Sequence, residues 1–324
     1  MDREGNMPAD SFEGHYVWSP AADDRALARA CMDVRAGRYL SAHEVLKEAR
    51  QDFEVRAHRS LVLASVAADS DLAERWLDEE PGPEAALLWS RVAMLRALRM
   101  ADAGDRRAGA LVRIAQTACE RAAKTAPEDP TPWVAQLALA RLERQQDPAP
   151  KGLLTSPIGP WYLFAHILRL DPWHREAHHR FLAFFFTRYG GSSSASWDVA
   201  AFLSQRAAAS SPLRLLPLVA LVEDYNPDAL LADRTWEQPQ WITTAMGIYN
   251  NWFPQVAGYR FTPVLDLSYL AHALYMAKHE FEAREVLTAM GPYASRMPWS
   301  VFGDPEEQLT KARRSCGLPV PHAV

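Results

Sequence analysis

The residues in this chain that most invite chemistry are Trp173-His174-Arg175-Glu176-Ala177-His178-His179. On a helix His174 and His178 stand four apart, so both imidazoles could reach one metal ion. The zinc-protease arrangement needs a glutamate directly after the first histidine, where it faces the bound water. Glu176 instead comes two residues on, about 200° around the helix and off the histidine face. No third ligand is specified, so His174 and His178 remain weak metal candidates. The bland reading is a His174 near the helix start and a His178 at a packing position, and no cofactor is called for.

Other constellations are thinner. Gly190-Gly-Ser-Ser-Ser194 could offer backbone N–H groups to a phosphate ahead of a helix. It lacks the P-loop spacing, the lysine and a preceding strand, so a flexible connection is expected. Cys31 and Cys119 sit on apolar helix faces as small core residues, whereas Cys316 near the end of the sequence is expected to be exposed and open to reaction. No catalytic residue is assigned. Three cysteines make no disulfide framework.

An aromatic group with polar companions gives a second candidate. Trp236, Trp241, Trp252 and Arg260 could line a pocket, with Tyr249, Phe253, Tyr259 and Phe261 nearby. Helical spacing of Trp241, Ala245, Ile248 and Trp252 equally predicts one buried stripe.

The elements that must position these residues are helices. Leu27, Ala30, Cys31 and Val34 recur at the helical period over 24–36, with Gly37 where a C-cap belongs. Ser41 and Glu44 fit a capping box opening a helix that runs to about Phe53. Similar patterns predict helices near 106–125, 131–145, 161–170, 174–188, 227–232 and 239–250, among others. No hairpin signal interrupts them. The expected fold class is all-α. Asp147–Pro160 carries four prolines and two glycines and cannot be a helix interior, so it marks the expected seam. That seam divides the chain into a flexible start (1–20), an N-terminal helical part (21–146), the connection (147–160) and an aromatic-rich helical part (161–324).

Composition separates the halves as well. Residues 1–150 hold 20 Lys and Arg against 25 Asp and Glu but 8 of the 33 aromatic residues, and the remainder is charge-balanced. The net charge of -5 argues against non-specific attraction to nucleic acid or an anionic membrane. No apolar run approaches the ~18 residues that span a bilayer. The first twenty residues lack the apolar core of a secretory signal, so a cytoplasmic protein is expected.

Several stretches carry a helical-repeat pattern. One is Gly37-Arg38-Tyr39-Leu40-Ser41-Ala42 followed by Leu46 and Ala49. Others are Ala115, Ala122, Pro127 and Trp133; Leu168–Pro172 with the helix after it; and Leu270–Met276 with Phe281, Ala283, Val286 and Leu287. This resembles the tetratricopeptide repeat, a helical hairpin of about 34 residues. Spacing departs from the family, since Pro127 and Pro172 lie 45 apart, and the excess falls in 147–160. The resemblance implies an irregular α-α solenoid of bacterial type, more a scaffold than an enzyme. It would bind a protein or peptide partner in a groove lined by the first helix of each hairpin. Carried over by register, the groove positions include Asp24, Arg35, Arg141, Glu176 and His179. The competing expectation is an enzyme or small-ligand-binding protein using the aromatic pocket. The identity of the partner and the oligomeric state are not legible.

Overall fold

The computed structural model describes residues 15–144, 146–228 and 232–320. Among these residues the protein is all-α, with fifteen α-helices, five short 3-10 helices, no strands and two isolated bridges. The chain divides into two compact units. One is Asp24–Phe202, and the other joins the segment ending at Asp23 to everything from Leu203 onward.

The first unit holds α1 (Arg25–Arg35), α2 (Leu40–Glu48), α3 (Phe53–Ala67), α4 (Leu72–Glu79), α5 (Pro83–Asp102), α6 (Ala108–Thr125), α7 (Thr131–Glu143), α8 (Trp161–Leu170), α9 (Arg175–Ala183) and most of α10 (Ser193–Arg206). The odd-numbered helices pack in succession, α1 on α3, α3 on α5, α5 on α7 and α7 on α9. The even ones cover their chain neighbours: α2 on α1, α4 on α5, α6 on both α5 and α7, and α8 on α7 and α9. Most covering helices therefore lie beside a helix adjacent to them in the chain, as short connections favour.

Local sequence explains most boundaries. The stripe expected on α1, Leu27, Ala30, Cys31 and Val34, is buried throughout. Asp24 Oδ1 caps this helix by accepting from the Leu27 N–H at 3.0 Å. Gly37 follows with φ +76°, a conformation glycine adopts without penalty. The α5–α6 core is built from small residues, with Ala93, Ala97, Ala115, Ala118 and Cys119 letting the helices approach closely around Met94 and Leu139.

Three expectations change. The capping box at Ser41 and Glu44 is not formed: Tyr39 holds the N-cap without a side-chain bond, and the Ser41 hydroxyl donates to Asp33 of α1. A carboxylate outcompetes a backbone cap for that hydroxyl. The helix expected to reach Phe53 stops at Glu48, because Asp52 accepts from the Val55 N–H at 3.0 Å and starts α3. The helix expected over 174–188 ends at Ala183 and gives way to a 3-10 turn over Thr187–Tyr189. Of the expected helix at 227–232, residues 229–231 lie outside the described residues, and a 3-10 helix runs over Ala232–Glu237.

The Pro-rich stretch 147–160 lies inside the first unit and not at its border. Its ends are held together, Asp147 N to Gly159 O at 3.0 Å and the reverse at 3.1 Å. The division falls instead within α10, a continuous helix with no sequence break.

The second unit contains α11 (Leu216–Glu223), α12 (Pro239–Asn251), α13 (Val264–Met276), α14 (Glu280–Met290) and α15 (Pro305–Ser315). Helix α13 is buried from Asp266 to Leu274 and packs against α11, α12 and α14. Of the expected flexible start, 1–14 lie outside the described residues. From Tyr16 the chain is held: Val17 donates to Pro292 O at 2.9 Å and accepts from Ala294 N at 3.0 Å, and the Thr262 N–H and hydroxyl both donate to Asp23.

Candidate functional site

Charged residues tie the odd helices of the first unit together. Arg59 of α3 is buried and donates through Nε to Asp24 Oδ2 at 2.7 Å and through Nη1 to Glu48 at 2.8 Å. Arg56, one turn earlier, donates to Asp129 at 2.6 Å ahead of α7 and lies 3.4 Å from Glu84 of α5. Arg91 of α5 is wholly enclosed and meets both carboxylate oxygens of Glu176 on α9, at 2.9 and 2.5 Å. Burial pushes the Glu176 carboxyl up, but the nearby charges of Arg91 and Arg180 outweigh it and hold it down at about 2. Arg141 of α7 donates through Nη2 to both oxygens of Asp102 on α5, each at 3.0 Å.

The five residues assigned to a partner groove are thereby sorted. Asp24 is a cap and an ion-pair partner at 2% exposure, Glu176 is spent on Arg91 and Arg180, and Arg141 is spent on Asp102. His179 is half-buried, with its Nε2 enclosed and unpartnered among the described residues. Burial and the charges of Arg175 and its neighbours hold it well below the usual histidine range. Arg35, in the last turn of α1, is exposed.

The metal candidates both face backbone. His174 Nδ1 accepts from the Ala177 N–H at 3.2 Å as the cap of α9, and His178 Nδ1 donates to His174 O at 2.9 Å. Phe164 packs edge-on against the His178 ring, with centroids 5.2 Å apart. Burial holds His178 down at about 4 and lowers His174 as well. No group of three or more His, Cys, Asp or Glu is placed to hold a metal among the described residues. The Cys316 expectation is corrected: the residue is buried, and burial pushes its thiol up to about 11.

The residues expected to line a pocket in the second unit are largely packed. Trp236 and Trp252 are buried, Trp241 is half-buried, and Arg260 lies with its guanidinium carbon 5.1 Å from the Phe261 ring centre. Trp252 Nε1 donates to the Tyr259 hydroxyl at 2.9 Å. Trp236 is one wall of an aromatic cluster around His272. Trp236 and Trp299 meet that imidazole edge-on at 5.1 and 5.0 Å, and Phe302 lies 4.3 Å away. Burial alone lowers His272 to about 3. Its Nδ1 and the Trp236 Nε1 are enclosed without a partner among the described residues.

A recess of about 350 Å³ opens in the first unit, where the end of α7, the Thr187–Tyr189 turn and the start of α10 converge. Arg141 and Arg144 line it, together with Phe184, Phe185, Tyr189 and the Gly190–Ser192 segment. Two glycines make this corner possible for different reasons. Gly190 has φ +85°, and a Cβ there would fall 2.0 Å from Arg144 Nη2; a Cβ on Gly191 would fall 2.0 Å from Phe185 O. Arg144, itself at φ +49°, ends α7 and donates to Gly190 O at 3.2 Å. The segment expected to be a loose Gly-Ser loop is therefore a tight corner, with α10 already under way at Ser193. Sequence reading found Arg141 and the glycines separately but could not bring them together.

Compared with protein-family models, curated proteins and solved structures, the chain shows no significant match to any of them.

Proposed function

We propose that this protein is a scaffold of irregular tetratricopeptide-like hairpins that binds a protein or peptide partner along the layer of odd helices. What supports the reading is the order of packing in Asp24–Phe202, where α1, α3, α5, α7 and α9 succeed one another and the even helices cover them. That is the alternation in which one helix of each hairpin stays on a common layer. The cross-layer ion pairs add to it, because they fix the spacing of successive helices while leaving exposed residues such as Arg35 and Met32 of α1 available for contact.

Photo-crosslinking in cells tests this. A photoreactive residue at Arg35 is expected to trap one defined protein, and the same residue at Arg121, exposed on the covering helix α6, is expected not to. An Arg35→Glu variant should lose copurification of that protein. Equal trapping from both positions, or none from Arg35, would overturn the reading.

A further inference from the structure

We propose that the recess between α7 and α10 is a binding site for an organic phosphate monoester, a function separate from partner binding on the helical layer. Its charge comes first. The lining described holds two arginines, Arg141 and Arg144, and no acidic residue. Asp102 is bonded to Arg141 but lies outside the lining and is half exposed. Two guanidinium groups at one recess outnumber the single carboxylate, Asp102, bonded to Arg141, which favours an anion, and a phosphate monoester carries close to two negative charges near neutral pH.

Arg141 is built in place and underused. Its side chain is nine-tenths buried, its guanidinium carbon lies 3.8 Å from the Tyr189 ring centre, and Asp102 fixes Nη2. Nε is enclosed yet has no hydrogen-bond partner among the described residues. An unsatisfied N–H on a buried cation is costly, because the group has given up water without a replacement. A tetrahedral oxyanion entering beside the fork, with a small swing of the guanidinium on Tyr189, would satisfy it. The start of α10 faces the same space through Ser192 and Ala195, and the positive end of a helix favours an anion.

The remaining walls specify the body of the ligand. The recess lies in the size range of small-molecule sites and exceeds what bare phosphate fills. Phe184, Phe185 and Ile158 give it an apolar side. An aryl or similarly flat ester therefore fits better than inorganic phosphate.

Calorimetric titration of the full chain with phenyl phosphate tests the site at low salt. Saturable one-site binding is expected, tighter than inorganic phosphate, absent for phenol and weakened by added salt. Arg144→Gln, at an exposed residue, should weaken it about tenfold, the loss of one charge-assisted hydrogen bond. Arg141→Lys keeps the charge but not the fork and should weaken it too. A blocked phosphotyrosine tripeptide distinguishes the sources: tighter binding than phenyl phosphate assigns a peptide-borne phosphate, and equal or weaker binding assigns a free ester. No saturation below ~10 mM phenyl phosphate, or affinity unchanged in both folded variants, overturns the proposal.

Discussion

Arg91 on α5 has no solvent exposure, and the two oxygens that neutralise it belong to Glu176 on α9, 85 residues further along the chain. Arg180, one turn on from Glu176, donates to the same carboxylate at 3.1 Å. Removing Glu176 would leave a buried guanidinium unpaired, which is far costlier than losing an exposed ion pair. Glu176→Gln should destabilise the chain by about 3–5 kcal/mol in urea unfolding at pH 7. The double variant Arg91→Met/Glu176→Gln should recover much of that loss. A cost below about 1 kcal/mol for the single variant, the range of exposed pairs, would show that the pair is not closed off from water.

Acid should act in two windows. Glu176 is held down at about 2, so its stabilising contribution is present above the unfolded carboxyl value and is lost as pH falls from about 4.3 through 2. His272 has the opposite chemistry. Buried neutral and lowered to about 3, it takes up a proton in the unfolded chain first, so stability falls as pH drops below about 6.5. His178, lowered to about 4, adds the same sign, as do His174 and His179. His272→Phe should flatten the urea midpoint between pH 6.5 and 4.5 by up to about 1.4 kcal/mol per pH unit. An unchanged slope would mean that His272 meets water or a compensating acid.

All three thiols should be inert in the native chain. Burial raises Cys31, pushes Cys119 up to about 12 and pushes Cys316 up to about 11. Thiolate is the reacting species, so little of it forms at pH 8. A thiol-exchange reagent at that pH should label none within minutes, and three after denaturation. Rapid labelling of one native thiol, traced to Cys316, would restore the sequence-based expectation of an open C-terminal cysteine.

What could be read from the sequence was local. Periodic apolar stripes and Gly- and Pro-rich breaks placed most helices within a few residues, and Ala245, Ile248 and Trp252 are buried as their spacing predicts. Where two local signals competed, reading failed: Asp52 opens α3 inside what looks like one helix through Phe53. Long-range charge was not legible at all. Nothing near Arg91 in sequence announces Glu176, and Asp24 carries over as a groove position until Arg59 folds onto its second oxygen. The recess was illegible for the same reason, since its lining runs from Arg141 to Ala195 and meets only after the chain has turned through α8 and α9.

The corner beside that recess separates a backbone obstacle from a side-chain one. An added Cβ at Gly191 meets the Phe185 carbonyl oxygen, its carbon and Cα, none of which can step aside without moving the end of α9. At Gly190 the obstacle is the far end of Arg144, which can swing away, and the remaining cost is the left-handed backbone, roughly 1 kcal/mol. Gly191→Ala should therefore cost about 2–3 kcal/mol of stability, as overpacking does, and Gly190→Ala noticeably less. Only the second displaces Arg144 while leaving the fold in place, so Gly190→Ala should weaken phenyl phosphate binding more than its small stability loss accounts for. Thermal melts and titrations of the two variants read this directly. Equal destabilisation by both would mean that Arg144 is as fixed as backbone, and the corner would then be a rigid part of the core.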